Sequence, residues 1–282
     1  MRLSTVKIAG RTSWGVVSGE VFLDVGAVLT GRYADLKAAI TAGLEGVAEV
    51  EASATAIPLS EVEWLPVIPN PDKILCVGLN YEMHRQETGR AVVENPTIFA
   101  RYANSQTGHL KPIVLPKVSH ELDYEGELAV IIGKPGRYIS REEAMSHVAG
   151  YACYNDGSIR DFQRHTHQFT PGKNFPDTGA FGPWMMTPDE IGPMGDLRLQ
   201  TRLNGQVVQE ATFSQMIFDI ARQIEYCSTF TRLEAGDVIV SGTPGGVGAK
   251  RNPPLWMKPG DVVEVEIDKL GLLRNPITAE QA

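Results

Sequence analysis

The stretch Leu122-Asp123-Tyr124-Glu125-Gly126-Glu127-Leu128-Ala129-Val130-Ile131-Ile132-Gly133 constrains this chain more than any other. In a strand, residues two apart share a face. Glu125 and Glu127 then point the same way, followed by Ala129 and Ile131, while Leu128, Val130 and Ile132 line the other face. A strand apolar on both faces is covered on both faces. Any fold of this chain must therefore place layers on each side of the strand, with two carboxylates at the end of a buried row. Two anions so placed repel each other and lose solvation unless a cation or proton compensates. Spacing alone leaves two readings open: a solvated strand end with two harmless glutamates, or a divalent-metal site.

The rest of the chain reads as strand-rich. Its 282 residues suffice for one large domain or two smaller ones with a substantial core. Leu65-Pro66-Val67-Ile68-Pro69-Asn70-Pro71 predicts an extended linker, because proline fixes φ and disfavours helix in the residue before it. It separates a small N-terminal domain, residues 1–65, from a second domain, residues 70–282. In the first, Thr12 to Val25 predicts two strands around a turn at Ser18-Gly19-Glu20, and Asp35 to Val50 a helix weakened by Gly43 and Gly46. In the second, strands are expected at Ile74–Val77, Thr97–Ala100, Ile113–Leu115, Glu127–Ile132, Ala149–Tyr154, Val238–Ser241 and Val262–Ile267. Leu197–Leu203 and Gln206–Glu210 flank Asn204-Gly205, a strong hairpin signal. Ser140 with Glu143 fits a capping box leading into Ala144–Val148. Ser214–Thr229 carries Met216, Ile217, Ile220 and Ile224 at helical spacing. The expected class is α+β, strand-rich.

Composition removes several functions. Lys and Arg number 26 against 34 Asp and Glu, a formal charge of −8, so no basic excess favours nucleic acid or anionic membrane as a partner. Cys76, Cys153 and Cys227 lie far apart, which suggests neither a disulfide framework nor a thiolate zinc site. Met1 to Gly10 carries Arg2 and Lys7 and no apolar core, and Leu128 to Ile132 is too short to span a bilayer. The expectation is a cytoplasmic protein in a reducing compartment.

Four further segments bear chemistry. Gly150 to Gln163 reads as a strand ending in an Asn155-Asp156-Gly157 turn, where Asp156 is either a turn residue or a third carboxylate. Three carboxylates without a thiolate suit Mg²⁺, Mn²⁺ or Ca²⁺ better than zinc. Arg160 and Gln163 are three apart and share a helix face, offering donors to a carboxylate or keto oxygen. His84 and Glu87 have the same spacing, as in a general base oriented by a carboxylate or in a plain surface ion pair. Lys173 sits between Gly172 and Asn174-Phe175, where it either reaches into a pocket or is solvated. Ser241-Gly242-Thr243-Pro244-Gly245-Gly246-Val247-Gly248 places glycines after a strand, where backbone N–H groups are free to approach an anion, but it lacks the order of a P-loop or a dinucleotide fingerprint. His165-Thr166-His167 reads as a polar loop rather than a chelate.

Taken in order, G-L-N-Y-x-x-H-x-x-E at 78–87, L-D-Y-E-G-E-L-A-V at 122–130, N-D-x-S-x-R-D-x-Q at 155–163, G-K at 172–173 and G-T-P-x-G-V-G at 242–248 resemble the fumarylacetoacetate hydrolase family. The resemblance covers about residues 70 to 275. It implies a rolled, mixed β-sheet catalytic domain, a homodimer, and Mg²⁺ or Mn²⁺ held by Glu125, Glu127 and Asp156. It also implies a catalytic dyad of His84 and Glu87 on a lid helix, Lys173 beside the metal, and substrate contacts from Arg160, Gln163 and Thr243. The implied activity is hydrolysis of a C–C bond in a 2,4-diketo acid through an enolate that the metal stabilises. Hydratase, isomerase and decarboxylase activities share such a site. Two departures fall on the substrate side: Arg101 stands where many relatives carry lysine, and His165 to Thr170 replaces a commoner tryptophan-containing stretch.

Overall fold

The computed structural model describes residues 1–281. The N-terminal stretch forms β1 (Arg2–Ile8), β2 (Arg11–Ser18), β3 (Val21–Leu23), β4 (Ala56–Pro58) and β5 (Glu63–Trp64), with short helices α1 (Val25–Val28), α2 (Leu36–Thr41) and α3 (Val47–Val50). Beyond the proline-rich stretch come β6 (Ile74–Gly78), α4 (Glu82–Thr88), β7 (Thr97–Arg101), β8 (Gln106–Thr107), β9 (Ile113–Leu115), β10 (Leu122–Asp123), β11 (Gly126–Ile132), β12 (Val148–Asp156) and β13 (Ser158–Ile159). The chain closes with α5 (Arg160–Gln163), α6 (Thr170–Lys173), β14 (Gly179–Met186), α7 (Pro188–Ile191), the hairpin β15 (Arg198–Leu203) and β16 (Gln206–Thr212), α8 (Ile220–Phe230), β17 (Val238–Val240), β18 (Val262–Ile267) and β19 (Gly271–Ala279). The fold is strand-rich α+β.

Among the described residues one large mixed sheet runs β4-β3-β2-β1-β14-β12-β11-β17-β6-β7, and a second runs β16-β15-β18-β19-β9. Both faces of β11 are buried along its whole length. Leu128, Val130 and Ile132 pack into a core with Leu199, Val263, Val265 and Leu273 of the second sheet. Ala129 and Ile131 pack into another core, shared with Val25, Leu36 and Ile40 of the N-terminal helices. The double apolar pattern of β11 thus serves two cores, one on each side of the large sheet. β1 pairs antiparallel with β14, so the first 65 residues extend the same sheet that carries β11 and β12.

Local expectations differ from the structure in three places. The stretch Asp35–Val50 is two helices rather than one, because Gly43 and Gly46 adopt φ of 69° and 77° and break it. Ala144–His147 is a 3₁₀ turn that no side chain caps among the described residues, so the Ser140–Glu143 capping box is not formed. The helix expected from Ser214 starts only at Ile220, where the Asp219 side chain accepts the Arg222 N–H at 2.9 Å. Asp219 caps a helix in a way Ser214 does not, and Met216 and Ile217 fall in the connection before it. No helix among the described residues is long and apolar enough to cross a membrane.

Candidate active site

The register of β11 against β12 builds the floor. Gly126 lies opposite Asn155 and Glu127 opposite Tyr154, so Glu125 comes to lie beside Asp156. The junction is fixed by backbone bonds: Asp156 N–H donates to Glu125 O at 2.8 Å, and Glu125 N–H donates to Asn155 Oδ1 at 3.0 Å. Residues facing each other across an antiparallel pair share a face. Glu125, Glu127 and Asp156 therefore project together, and their nearest oxygens all lie within 4.8 Å of one another. All three are buried. Gly126 between the glutamates has no room for a side chain, since a Cβ would lie 2.0 Å from Thr201 Oγ1.

Buried cations surround the trio. Lys173 Nζ donates to Glu125 Oε2 and to Asp156 Oδ2, each at 2.6 Å. Arg101 Nη1 donates to Asp156 Oδ1 at 2.5 Å and to Gly157 O at 2.9 Å. Arg160 Nε donates to Asp123 Oδ2 at 2.8 Å, and its Nη2 lies 2.7 Å from Glu125 Oε1. That Nη2 is buried against Glu125, so the guanidinium is held between Asp123 and the trio. Burial pushes the Glu125 carboxyl up, but Arg160 and Lys173 outweigh it and hold it well below the usual carboxylate range. Glu127 goes the other way: burial, then the charges of Asp156 and Glu125, push its carboxyl well above that range. Its bond is to the Gly242 N–H at 2.5 Å, and among the described residues it has no ion pair.

Four buried carboxylates, Asp123, Glu125, Glu127 and Asp156, thus face three buried cations, Arg101, Arg160 and Lys173. With all four ionised one negative charge is in excess, and the raised Glu127 carboxyl marks where a proton or a cation offsets it. A hard cation among the three carboxylates removes that excess, and an all-oxygen donor set fits Mg²⁺, Mn²⁺ or Ca²⁺. The residues present therefore fit a divalent metal.

Glu125 and Glu127, with Asp156 behind them, open into a cavity of about 850 Å³ lined also by His84, Lys173, Thr243, Phe99 and Phe169. His84 sits on α4 and is buried; its Nδ1 meets Glu87 Oε1 at 2.7 Å. Asn80, fully buried, orients that helix: its Nδ2 donates to Ser241 O at 2.7 Å and to Phe218 O at 3.0 Å. Arg160 Nη1 donates to Gln163 Oε1 at 2.9 Å, and both residues line the cavity. Thr243 Oγ1 donates to Gly126 O at 3.0 Å and accepts Gln209 Nε2 at 2.8 Å. Every residue singled out from the sequence is thus gathered at one cavity or directly behind it. The His165–His167 loop also lines it. Sequence reasoning passed over Asp123, Asn80 and Gln209. Asp123 and Asn80 lie within motifs it quoted, but nothing in a motif says that a carboxylate binds an arginine 37 positions on.

Residues 73–278 match the family model described as fumarylacetoacetate (FAA) hydrolase C-terminal. The chain belongs to the fumarylacetoacetate hydrolase family. A mitochondrial oxaloacetate tautomerase of Homo sapiens is 42% identical over 223 residues, 78% of this chain and 71% of that protein. The fumarylacetoacetate hydrolase from psychrophilic Exiguobacterium antarcticum is 33% identical in sequence and superposes with a TM-score of 0.87 over 99% of this chain and 100% of its own. A maleylpyruvate hydrolase from Sphingobium sp. SYK-6, in complex with manganese(II) ion and pyruvate, is 28% identical with a TM-score of 0.83 over the full length of both chains. These family members are enzymes, a tautomerase and two hydrolases, and one binds a divalent metal.

Proposed function

We propose that this protein is a divalent-metal-dependent hydrolase that cleaves a C–C bond in a 2,4-diketo acid of the acylpyruvate type. The observation that carries the reading is that His84, backed by Glu87, and Glu125 and Glu127, backed by Asp156, face one cavity. A Mg²⁺ or Mn²⁺ ion held by the trio supplies Lewis acidity to the oxo acid when bound. The remaining steps belong to the chain itself. Glu87 holds the Nδ1 side of His84, leaving Nε2 to take a proton from water. The hydroxide adds to the distal carbonyl and the C–C bond breaks. The departing fragment is a pyruvate-type enolate, whose charge faces Lys173 Nζ. His84 returns its proton to the enolate carbon, giving pyruvate and a carboxylic acid. Arg160 and Gln163, which line the cavity, orient the substrate carboxylate.

The cavity wall adds a preference. Arg90 and Lys250 line it beyond the floor. Two cations there favour an acyl group that ends in a second carboxylate.

A second reading is supported by the names of the relatives that are tautomerases. In it His84 only moves a proton between carbon and oxygen of a 2-oxo acid, without water attack. Hydratase and decarboxylase activities differ from it in the same second step. Pyruvate release from acetylpyruvate and from an acylpyruvate with a terminal carboxylate, measured with Mg²⁺ or Mn²⁺, separates these readings from enol-to-keto conversion or CO₂ release from oxaloacetate. The first predicts pyruvate, faster from the diacid, and a fall of about 100-fold or more in kcat for His84→Ala with metal affinity retained. Absence of pyruvate beside rapid oxaloacetate tautomerisation would hand the site to the second.

A further inference from the structure

The glycine-rich loop after β17 takes no part in the reaction outlined above, although Thr243 lines the cavity. Its peptide N–H groups are nonetheless turned to anions, and those anions are the protein's own. Gly242 N–H donates to Glu127 Oε2 at 2.5 Å, and Gly246 N–H donates to Glu87 Oε2 at 2.9 Å. Gly248 and Ala249 N–H donate to the two oxygens of Asp123 at 2.8 and 2.9 Å, and Asp123 in turn holds Arg160. A single loop therefore touches the acid trio, the His84–Glu87 pair and the arginine.

Gly246 is where this loop grips α4. Its φ is +102°, and a Cβ there would lie 2.3 Å from Val208 O, so only glycine fits. The Gly246 carbonyl is held from behind: it accepts Tyr124 Oη at 3.1 Å and Arg251 Nε at 3.2 Å. Arg251 Nε also donates to Tyr124 Oη at 3.0 Å, and its Nη2 to Val208 O at 2.6 Å. Gly246 is thus fixed through its carbonyl and presents its N–H to Glu87, whose other oxygen meets His84. Beside it, a Cβ on Gly245 would come within 3.1 Å of Met83 Cβ, so helix and loop are in close contact.

We propose that Gly246, braced through its carbonyl by Tyr124 and Arg251, is the catch that seats α4 and sets the His84–Glu87 pair over the acid trio. Tyr124, Gly246 and Arg251 are positioning residues; they act through Glu87 and do not line the cavity among the described residues. The proposal rests on the reading of His84 as the base. A misplacement of about 1 Å in such a group costs on the order of 100-fold in rate. Removing one of two braces leaves the other, so the expected effect is smaller.

Arg251→Met tests it by three readouts: acetylpyruvate turnover with Mn²⁺, Mn²⁺ affinity by calorimetry, and hydrogen–deuterium exchange over residues 82–88. We expect kcat to fall about tenfold, with KM and Mn²⁺ affinity within about twofold of the parent. Exchange protection should drop over 82–88 while β11 and β12 stay protected. Arg251→Lys, which still offers a donor to the Gly246 carbonyl, should recover most of both losses. Tyr124→Phe should act in the same direction as Arg251→Met. Parent-like kcat and protection in Arg251→Met would overturn the catch, and so would protection lost evenly across the chain. If His84→Ala proves as active as the parent, the reading of the base fails by itself. The exchange measurement needs no substrate and still decides the catch: lost protection over 82–88 supports it and unchanged protection removes it.

Discussion

At Asp156 both carboxylate oxygens are already taken, Oδ1 by Arg101 and Oδ2 by Lys173. Arg101 is fully buried and spends its remaining donors on Gly157 O, Thr178 Oγ1 and Ser105 Oγ. Burial opposes its charge, but Tyr154 and Asp156 raise its pKa further, so it stays ionised. Removing one member of a buried ionic network leaves an uncompensated charge. Arg101→Met should therefore destabilise the fold by about 3–5 kcal/mol in equilibrium urea unfolding. Arg101→Lys keeps the charge but lacks the planar fork that reaches Asp156, Gly157 and Thr178 together, and should lose less. Equal stability of parent and Arg101→Met would show that Lys173 alone neutralises Asp156. The presence of arginine at this position was visible in the sequence. That it backs a site carboxylate, rather than meeting substrate, was not, because its partner lies 55 positions away.

Among the elements, the strands were the most legible. β6, β7, β9, β11, β12, β15 to β18 and the β2–β3 pair lie where apolar alternation and turn residues placed them. β1, β14 and β19, and the short β4, β5, β8, β10 and β13, were not anticipated. β14 contains two glycines and a proline in Gly179-Ala180-Phe181-Gly182-Pro183, which carry no strand signal, and it becomes a strand through pairing with β1 and β12. The helices show the limit of periodicity. Met216 and Ile217 fit the helical spacing of Ile220 and Ile224, yet Asp219 starts the helix by capping it. Asp219→Ala should cost about 1 kcal/mol in thermal or urea unfolding, as for other lost N-caps. Its surface pair with Arg141 adds little to that. An unchanged midpoint would mean that the packing of Ile220, Ile224 and Cys227 sets the boundary instead.

For the molecule as a whole, the first 65 residues are joined to the rest by both hydrogen bonds and apolar packing. β1 supplies the outer partner of β14, and Leu3, Val25 and Leu36 share a core with Ile131, Phe181 and Met185. A chain beginning at residue 70 would bare that edge and that face, and exposed strand edges template aggregation. We expect such a chain to aggregate on size-exclusion chromatography while the full chain elutes as a single species. A monodisperse, cooperatively unfolding fragment would show instead that residues 70–282 fold on their own.

The sequence by itself determined that β11 is covered on both sides, because apolar side chains alternate onto both faces of a pleated strand. It also determined that two glutamates stand at the end of that strand, and the order of its motifs pointed to the family. Only the tertiary structure decided what the trio is. Asp156 joins Glu125 and Glu127 through the β11–β12 register, and a shift of one residue would turn it to the opposite face. The tertiary structure likewise decided which cations balance which carboxylates and left Glu127 without a paired cation among the described residues. It also turned the glycine loop toward the protein's own acids rather than a bound nucleotide. Pairing across tens of residues depends on how sheets register and loops close, and local spacing carries no record of that.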